Sequence, residues 1–232
     1  MFFYYDYYWV VLPAIILAAV AQAMVSSNFN KYSKVKNVRN ITGAQAAMRI
    51  LDNCGLSNVR IERTNGNLTD HYDPRENVIR LSDSVFDSSS VAAVGVAAHE
   101  AGHAIQYGKG YFPIKVRNAI LPVAQFSSTA AIWIILLGFV FSSVWFLVPL
   151  GIILFSATVL FQLITLPVEF NASARALSII GSMDILSPEE NIGAKKVLRA
   201  AALTYLAAAL SAVLQLLRLV LIANNRNSRG RR

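Results

Sequence analysis

The sequence predicts a mainly α-helical membrane protein, with three to four transmembrane helices and a small α+β unit on its cytoplasmic side. Three features carry this expectation. The 232 residues are 55% hydrophobic and only 15% charged, with a mean hydropathy of +0.48, a balance foreign to disordered tails and to ordinary soluble domains. From residue 126 to residue 167 there is no Lys, Arg, Asp or Glu. Between the apolar stretches lies a polar region, 26–121, in which helical and strand-like periodicities follow one another.

The first element is an N-terminal anchor over residues 1–25. Residues 9–25 are apolar apart from Gln22 and follow the aromatic runs Phe2-Phe3-Tyr4-Tyr5 and Tyr7-Tyr8-Trp9, which suit a membrane interface. A cleaved leader needs a basic start, and this one has Asp6 and no Lys or Arg. In the polar region, Thr42-Gly43-Ala44-Gln45 is a capping box that opens a short helix, with Ala47, Ile50 and Leu51 on one face and Gly55 at its end. Residues 59–61, a turn at Asn65-Gly66-Asn67, and residues 68–72 and 78–81 read as a small antiparallel strand group. Ser88-Ser89-Ser90 then caps an Ala-rich helix over residues 91–107.

Residues 122–167 form a helical hairpin whose turn falls near 142–149, because at about 1.5 Å per residue the uncharged run crosses a bilayer about twice. A second cytoplasmic segment, 168–199, precedes the last element, 200–232, a membrane helix with a basic tail. In the second segment Ser187-Pro188-Glu189-Glu190 resembles a helix start. The last helix is broken by Gln215 and Arg218. A hairpin returns the chain to the side it left, so both polar regions share one face. Lys31, Lys34, Lys36, Arg39, Lys109, Lys115, Arg117, Arg175, Lys195, Lys196 and Arg199 put that face in the cytoplasm by the positive-inside rule. The tail positives Arg226, Arg229, Arg231 and Arg232 conflict with this if the last segment crosses fully. Re-entry, an interfacial helix or a local failure of the rule would each account for them.

The chemistry gathers at His99-Glu100-Ala101-Gly102-His103. Imidazoles at i and i+4 stand one above the other on a helix face and can share a metal, while Glu100 beside them can take a water proton, which fits a zinc hydrolase. Two histidines and a carboxylate among Ala and Val are costly to bury without a partner. The single cysteine, Cys54, excludes a disulfide framework and a thiolate zinc cluster; it reads as a small packed residue. Catalytic zinc takes three protein ligands and leaves a fourth position for water. Glu169, in Leu166-Pro167-Val168-Glu169, stands where the hairpin brings the chain back towards the His99 helix; His71 and Asp70 compete for the same role. The turn that carries His71 could instead donate to a developing oxyanion, or be only a polar turn. Arg175 either pairs with a carboxylate near the metal or marks the positive side.

The stretch LTDHYDPRENVIRLSDSVFDSSSVAAVGVAAHEAGHAIQY, with LPVEFNASARAL and AKKVLRAAALTYLAAALSAVLQLLRL downstream, resembles the integral-membrane neutral zinc metallopeptidases of the YugP type over nearly the whole chain. The resemblance implies a zincin-like endopeptidase unit with one zinc on His99 and His103, and Glu100 as general base. Similarity to the broader gluzincin clan, which includes the HtpX heat-shock protease and the CAAX-prenyl endopeptidase, implies Glu169 as third ligand. Those relatives carry an acid four residues after that Glu, and here the position is Ser173. The expected partners are a polypeptide substrate, membrane-associated or unfolded, and the lipid bilayer of a prokaryotic-type plasma membrane. The rival reading is an idle, metal-stabilised scaffold or chaperone-like subunit, against which Glu100 argues, since a structural site has no use for it. No nucleic acid partner is expected, because the +8 net charge is spread along span ends rather than gathered on one face.

Overall fold

The computed structural model describes residues 7–229, so the Phe2–Tyr5 aromatics, Asp6, Arg231 and Arg232 lie outside the described residues. The chain runs α1 (Tyr8–Tyr32), α2 (Gly43–Asn53), β1 (Arg60–Thr64), β2 (His71–Asp73), β3 (Val78–Ser82), α3 (Asp83–Phe86), α4 (Val91–Gly108), α5 (Phe112–Val140), a 3₁₀ turn (Ser142–Val144), α6 (Leu147–Ser182) and α7 (Pro188–Arg229). It divides into two units. One takes the chain up to Val20, Val116–Leu166 and everything from Thr204 on; the other takes Ala21–Lys115 and Pro167–Leu203.

In the first unit the helices are apolar on the outside as well as within. Four helices, α1, α5, α6 and α7 over Pro188–Asn225, are long and apolar enough to cross a membrane. Their large side chains stand outward, with Ile16, Phe126, Trp133 and Ile153 all exposed, as lipid-facing residues would be. Small residues let α5 and α6 meet: a Cβ placed on Gly151 would lie 2.3 Å from Ile135 Cγ1, and one on Gly138 2.7 Å from Val148 Cγ2. Arg218, the charge that interrupts the last apolar run, is buried, and its guanidinium carbon lies 3.9 Å from the centre of the Tyr8 ring. It borders a cavity of about 150 Å³ with Gln215, Phe139 and Phe155. α7 continues through Arg218 without a break, which overturns the re-entrant alternative, since a chain that turns back must interrupt its helix.

In the second unit the capping box of α2 forms as the sequence predicts. Thr42 Oγ1 accepts from Gln45 N–H, Gln45 Oε1 accepts from Thr42 N–H, and Ala47, Ile50 and Leu51 are buried. The strands depart from the expected antiparallel group. The sheet order is β1-β3-β2, with β1 parallel to β3 and β2 antiparallel to it, and residues 68–70 are not strand. The reason lies in side-chain polarity: β3 alone buries Val78, Ile79 and Leu81, so it takes the centre, while RIERT and HYD suit the outside. Gly66 and Leu68, both at positive φ, carry the chain past the end of β3 instead of folding β1 back on itself. There the Asp70 carboxylate accepts from Ser82 N–H at 2.8 Å and pins the passing loop.

α4 lies at the heart of this unit. Ser90 caps it by accepting from Ala93 N–H, and nearly all of it is buried although its side chains are chiefly Ala, Gly and Val. Neighbouring backbones therefore come close, as at Gly95, where an added Cβ would stand 3.3 Å from Ala194 Cβ of α7. The Ser187 start of α7 is a capping box as expected: Glu190 N–H donates to Ser187 Oγ and Ser187 N–H to Glu190 Oε2, while Glu190 Oε1 also accepts from Val38 N–H. Its acids are thus structural. Cys54 is half-buried against the core. Thr42→Ala is expected to weaken α2 by about 1 kcal/mol, seen as roughly fivefold faster hydrogen exchange of its amides with α4 unaffected.

Candidate metal centre

The site starts from a glycine. A Cβ on Gly102 would come within 2.7 Å of the Ala172 carbonyl oxygen, so only glycine lets the α4 backbone touch α6 there. That approach sets Glu169, three residues before Ala172, against the face of α4 that carries His99 and His103. Glu169 Oε2 lies 3.3 Å from His99 Nε2 and 3.5 Å from His103 Nε2. One ligand atom from each of the three residues lies within 4.8 Å of the others, so the group could hold a metal ion. The carboxylate is 2% exposed and the imidazoles stand edge to face, their ring centres 4.7 Å apart.

The donor set fits zinc. Two bonds of about 2.0–2.1 Å at a tetrahedral angle put their ligand atoms about 3.3–3.4 Å apart, close to the separations from Glu169 to each imidazole. Two neutral imidazoles and one carboxylate make up a donor set that zinc takes in catalytic sites. Glu100, next to His99 in the motif, is buried on α4, and its charge acts on His103. Burial lowers the His103 pKa, but the hydrogen bond and charge of Glu169 and the charge of Glu100 act the other way, and the net shift is upward.

Each imidazole is held from behind. Ser173 Oγ lies 3.1 Å from His99 Nδ1, so the serine that stands where an acid was expected still reaches a histidine. His103 Nδ1 lies 3.1 Å from Gln106 Oε1, and the fully buried Gln106 donates through Nε2 to the Val168 carbonyl at 2.8 Å and to Asn171 Oδ1 at 3.0 Å. Arg175 engages an amide and a ring rather than a carboxylate of the cluster: its Nε donates to Asn171 Oδ1 at 2.7 Å and its guanidinium lies over the Tyr111 ring. Gln106 and Asn171 escape sequence reading, although Gln106 at i+3 from His103 is the one polar residue after it in α4 that could reach an imidazole.

Two candidates fall outside the group. Asp70 is engaged with Ser82. His71 is exposed on β2, its Nδ1 2.8 Å from the Thr69 carbonyl, and is not among the three clustered ligands. Behind it Tyr72 meets Tyr107 of α4 edge to face at 5.4 Å and donates its hydroxyl to Asn77 Oδ1.

Residues 7–224 match a family described as "Putative neutral zinc metallopeptidase". The chain belongs to this family. It is also 50% identical over 214 residues to a protein of Bacillus subtilis (strain 168) named "Putative membrane protease YugP", an alignment covering 92% of this chain and 95% of that one. No solved structure matches the chain significantly. The His-His-Glu cluster thus stands in a member of a zinc metallopeptidase family that has four long apolar helices among its described residues.

Two outcomes follow from the geometry. Gly102→Ala is expected to force α4 and α6 apart and weaken metal binding by about tenfold or more, read by competition with a chromophoric chelator. Proton and metal compete for His103 Nε2, so metal loading should fall as the pH is lowered. The metal-free protein should show the opposite sign. With a raised folded pKa, the contribution of His103 to its stability is complete below the unfolded pKa and lost as pH rises through the folded one. Thermal melts of loaded and chelator-treated protein between about pH 5 and 9 should therefore slope in opposite directions.

Proposed function

We propose that the protein is a membrane-embedded zinc endopeptidase that holds one zinc per chain on His99, His103 and Glu169 and uses Glu100 as its general base. The observation that carries this reading is the tetrahedral-like spacing of the buried Glu169 carboxylate and two imidazoles, with a second buried carboxylate, Glu100, one residue after His99 on α4. Zinc held there supplies Lewis acidity, which acidifies water and polarises a peptide carbonyl. Glu100 takes a proton from the water as its oxygen bonds to the carbonyl carbon. As the C–N bond breaks, Glu100 gives that proton to the leaving amine nitrogen, so the carboxylate is restored for the next turnover. Burial of Glu100 keeps bulk water from competing for the transferred proton.

β2 is an outer strand of the sheet and lies against α4 through Tyr72 and Tyr107, so an extended peptide added along it would run beside the metal ligands. Backbone pairing of this kind gives affinity with little sequence selectivity, which suits unfolded or membrane-associated polypeptides. His71, exposed on that strand, would be the donor to the bound chain in this reading. The basic residues of the second unit support a cytoplasmic-facing site by the positive-inside rule, in what we take to be a prokaryotic-type plasma membrane.

The test pairs metal analysis with cleavage of an unstructured casein-like substrate by the full chain in detergent. Wild type should hold about one zinc and cleave. Glu100→Gln should keep the zinc and lose about a hundredfold or more of the rate, while Glu169→Ala should lose the metal. An active Glu100→Gln protein removes the general-base assignment. Zinc without cleavage in wild type would return the scaffold reading.

A further inference from the structure

We propose that Gln106 is the positioning residue that fixes which nitrogen of His103 faces the metal, and that its own orientation is set by a one-way hydrogen-bond chain starting at Arg175. The inference rests on the three-ligand reading above. A guanidinium donates and never accepts, so the Asn171 atom 2.7 Å from Arg175 Nε is the amide oxygen. That same oxygen lies 3.0 Å from the Gln106 amide, which must therefore turn its NH₂ towards it. The Val168 carbonyl, 2.8 Å away and an acceptor only, takes the second proton of the same NH₂. Both donors of Gln106 are then used, and Oε1 points at His103.

An amide oxygen only accepts, so the His103 atom 3.1 Å from it, Nδ1, carries the proton. Nε2 is left as the lone-pair nitrogen, on the side of Glu169. The amide orientation, ordinarily an assignment, is here forced from two independent acceptors. His99 has no such constraint: the Ser173 hydroxyl can donate or accept, so it serves either tautomer. Gln106 also ties the two helices together, because Val168 and Asn171 flank Glu169 on α6. One side chain, completely buried, sets the orientation of one ligand and braces the segment that carries another.

The test measures zinc affinity of the full chain in detergent by chelator competition for wild type, Gln106→Met, Asn171→Asp and Asn171→Leu, with spectra of [¹⁵N]histidine-labelled, zinc-loaded protein. Gln106→Met, which keeps the volume and removes the acceptor, should weaken zinc about 10–100-fold. It should also lose the slowly exchanging Nδ1–H signal of His103 while that of His99 stays. Asn171→Asp, which keeps an acceptor for both Gln106 and Arg175, should stay near wild type, and Asn171→Leu should fall towards Gln106→Met. Equal affinity in Gln106→Met and wild type overturns the proposal. Equal losses in Asn171→Asp and Asn171→Leu overturn the direction of the chain, and this pair decides the matter if Gln106→Met does not fold. Wild type that binds no zinc would instead sink the metal site itself.

Discussion

The contact of two backbones at Gly102 and Ala172 is the constraint on which the metal centre depends. Side chains reach only so far, and a carboxylate that must touch two imidazoles on a neighbouring helix needs that helix to lie almost against it. α4 achieves this by giving up side-chain volume: Ala92, Ala93, Gly95, Ala97, Ala98, Ala101, Gly102 and Ala104 are all buried. The helix is thin where its neighbours meet it, and its two histidines, His99 and His103, project where α6 delivers Glu169. In a helix with Leu or Ile at these positions, the same motif would stand too far from any third ligand.

The same thinness raises the cost of what it carries. Glu100, His103, Gln106 and Glu169 are buried together, and a buried polar group left without partners destabilises the fold by about 1–3 kcal/mol. The network answers this locally. Each imidazole has a partner at Nδ1, the Gln106 amide uses both of its donors and its acceptor, and the three facing ligand atoms converge on one point. With Glu169 beside it, His103 favours protonation in the metal-free chain, and a divalent cation in the same place would displace that proton.

The sequence made the elements legible where local chemistry decides them. Thr42 and Gln45 announce α2, Ser90 the start of α4 and Ser187 with Glu190 the start of α7, because a cap is written in four consecutive residues. The uncharged run announced the hairpin, and the spacing of His99 and His103 announced a metal-binding face. Strand order was not legible. Asn65-Gly66-Asn67 has the composition of a hairpin turn, but β3 is the one strand apolar enough for the centre, and that is a tertiary choice. Gln106 and Asn171 were hidden for a related reason. Their importance lies in partners 62 and 65 residues away from Gln106, and a lone amide in an apolar helix has no periodicity to betray it.

The partners behind the imidazoles also bear on the strength of the site. A carboxylate at Nδ1 makes a metal-bound histidine more basic and ties the metal more firmly. Here both partners are neutral, a hydroxyl at His99 and an amide oxygen at His103, so neither adds negative charge. Glu169 is then the one anionic member of the three-ligand group, with Glu100 acting on it only from beside. A dication held on two neutral imidazoles and one carboxylate would keep most of its charge, which would suit the carbonyl polarisation of the proposed reaction. Geometry has to supply the holding strength that charge does not, and this is the work of the close contact at Gly102 and the brace through Gln106.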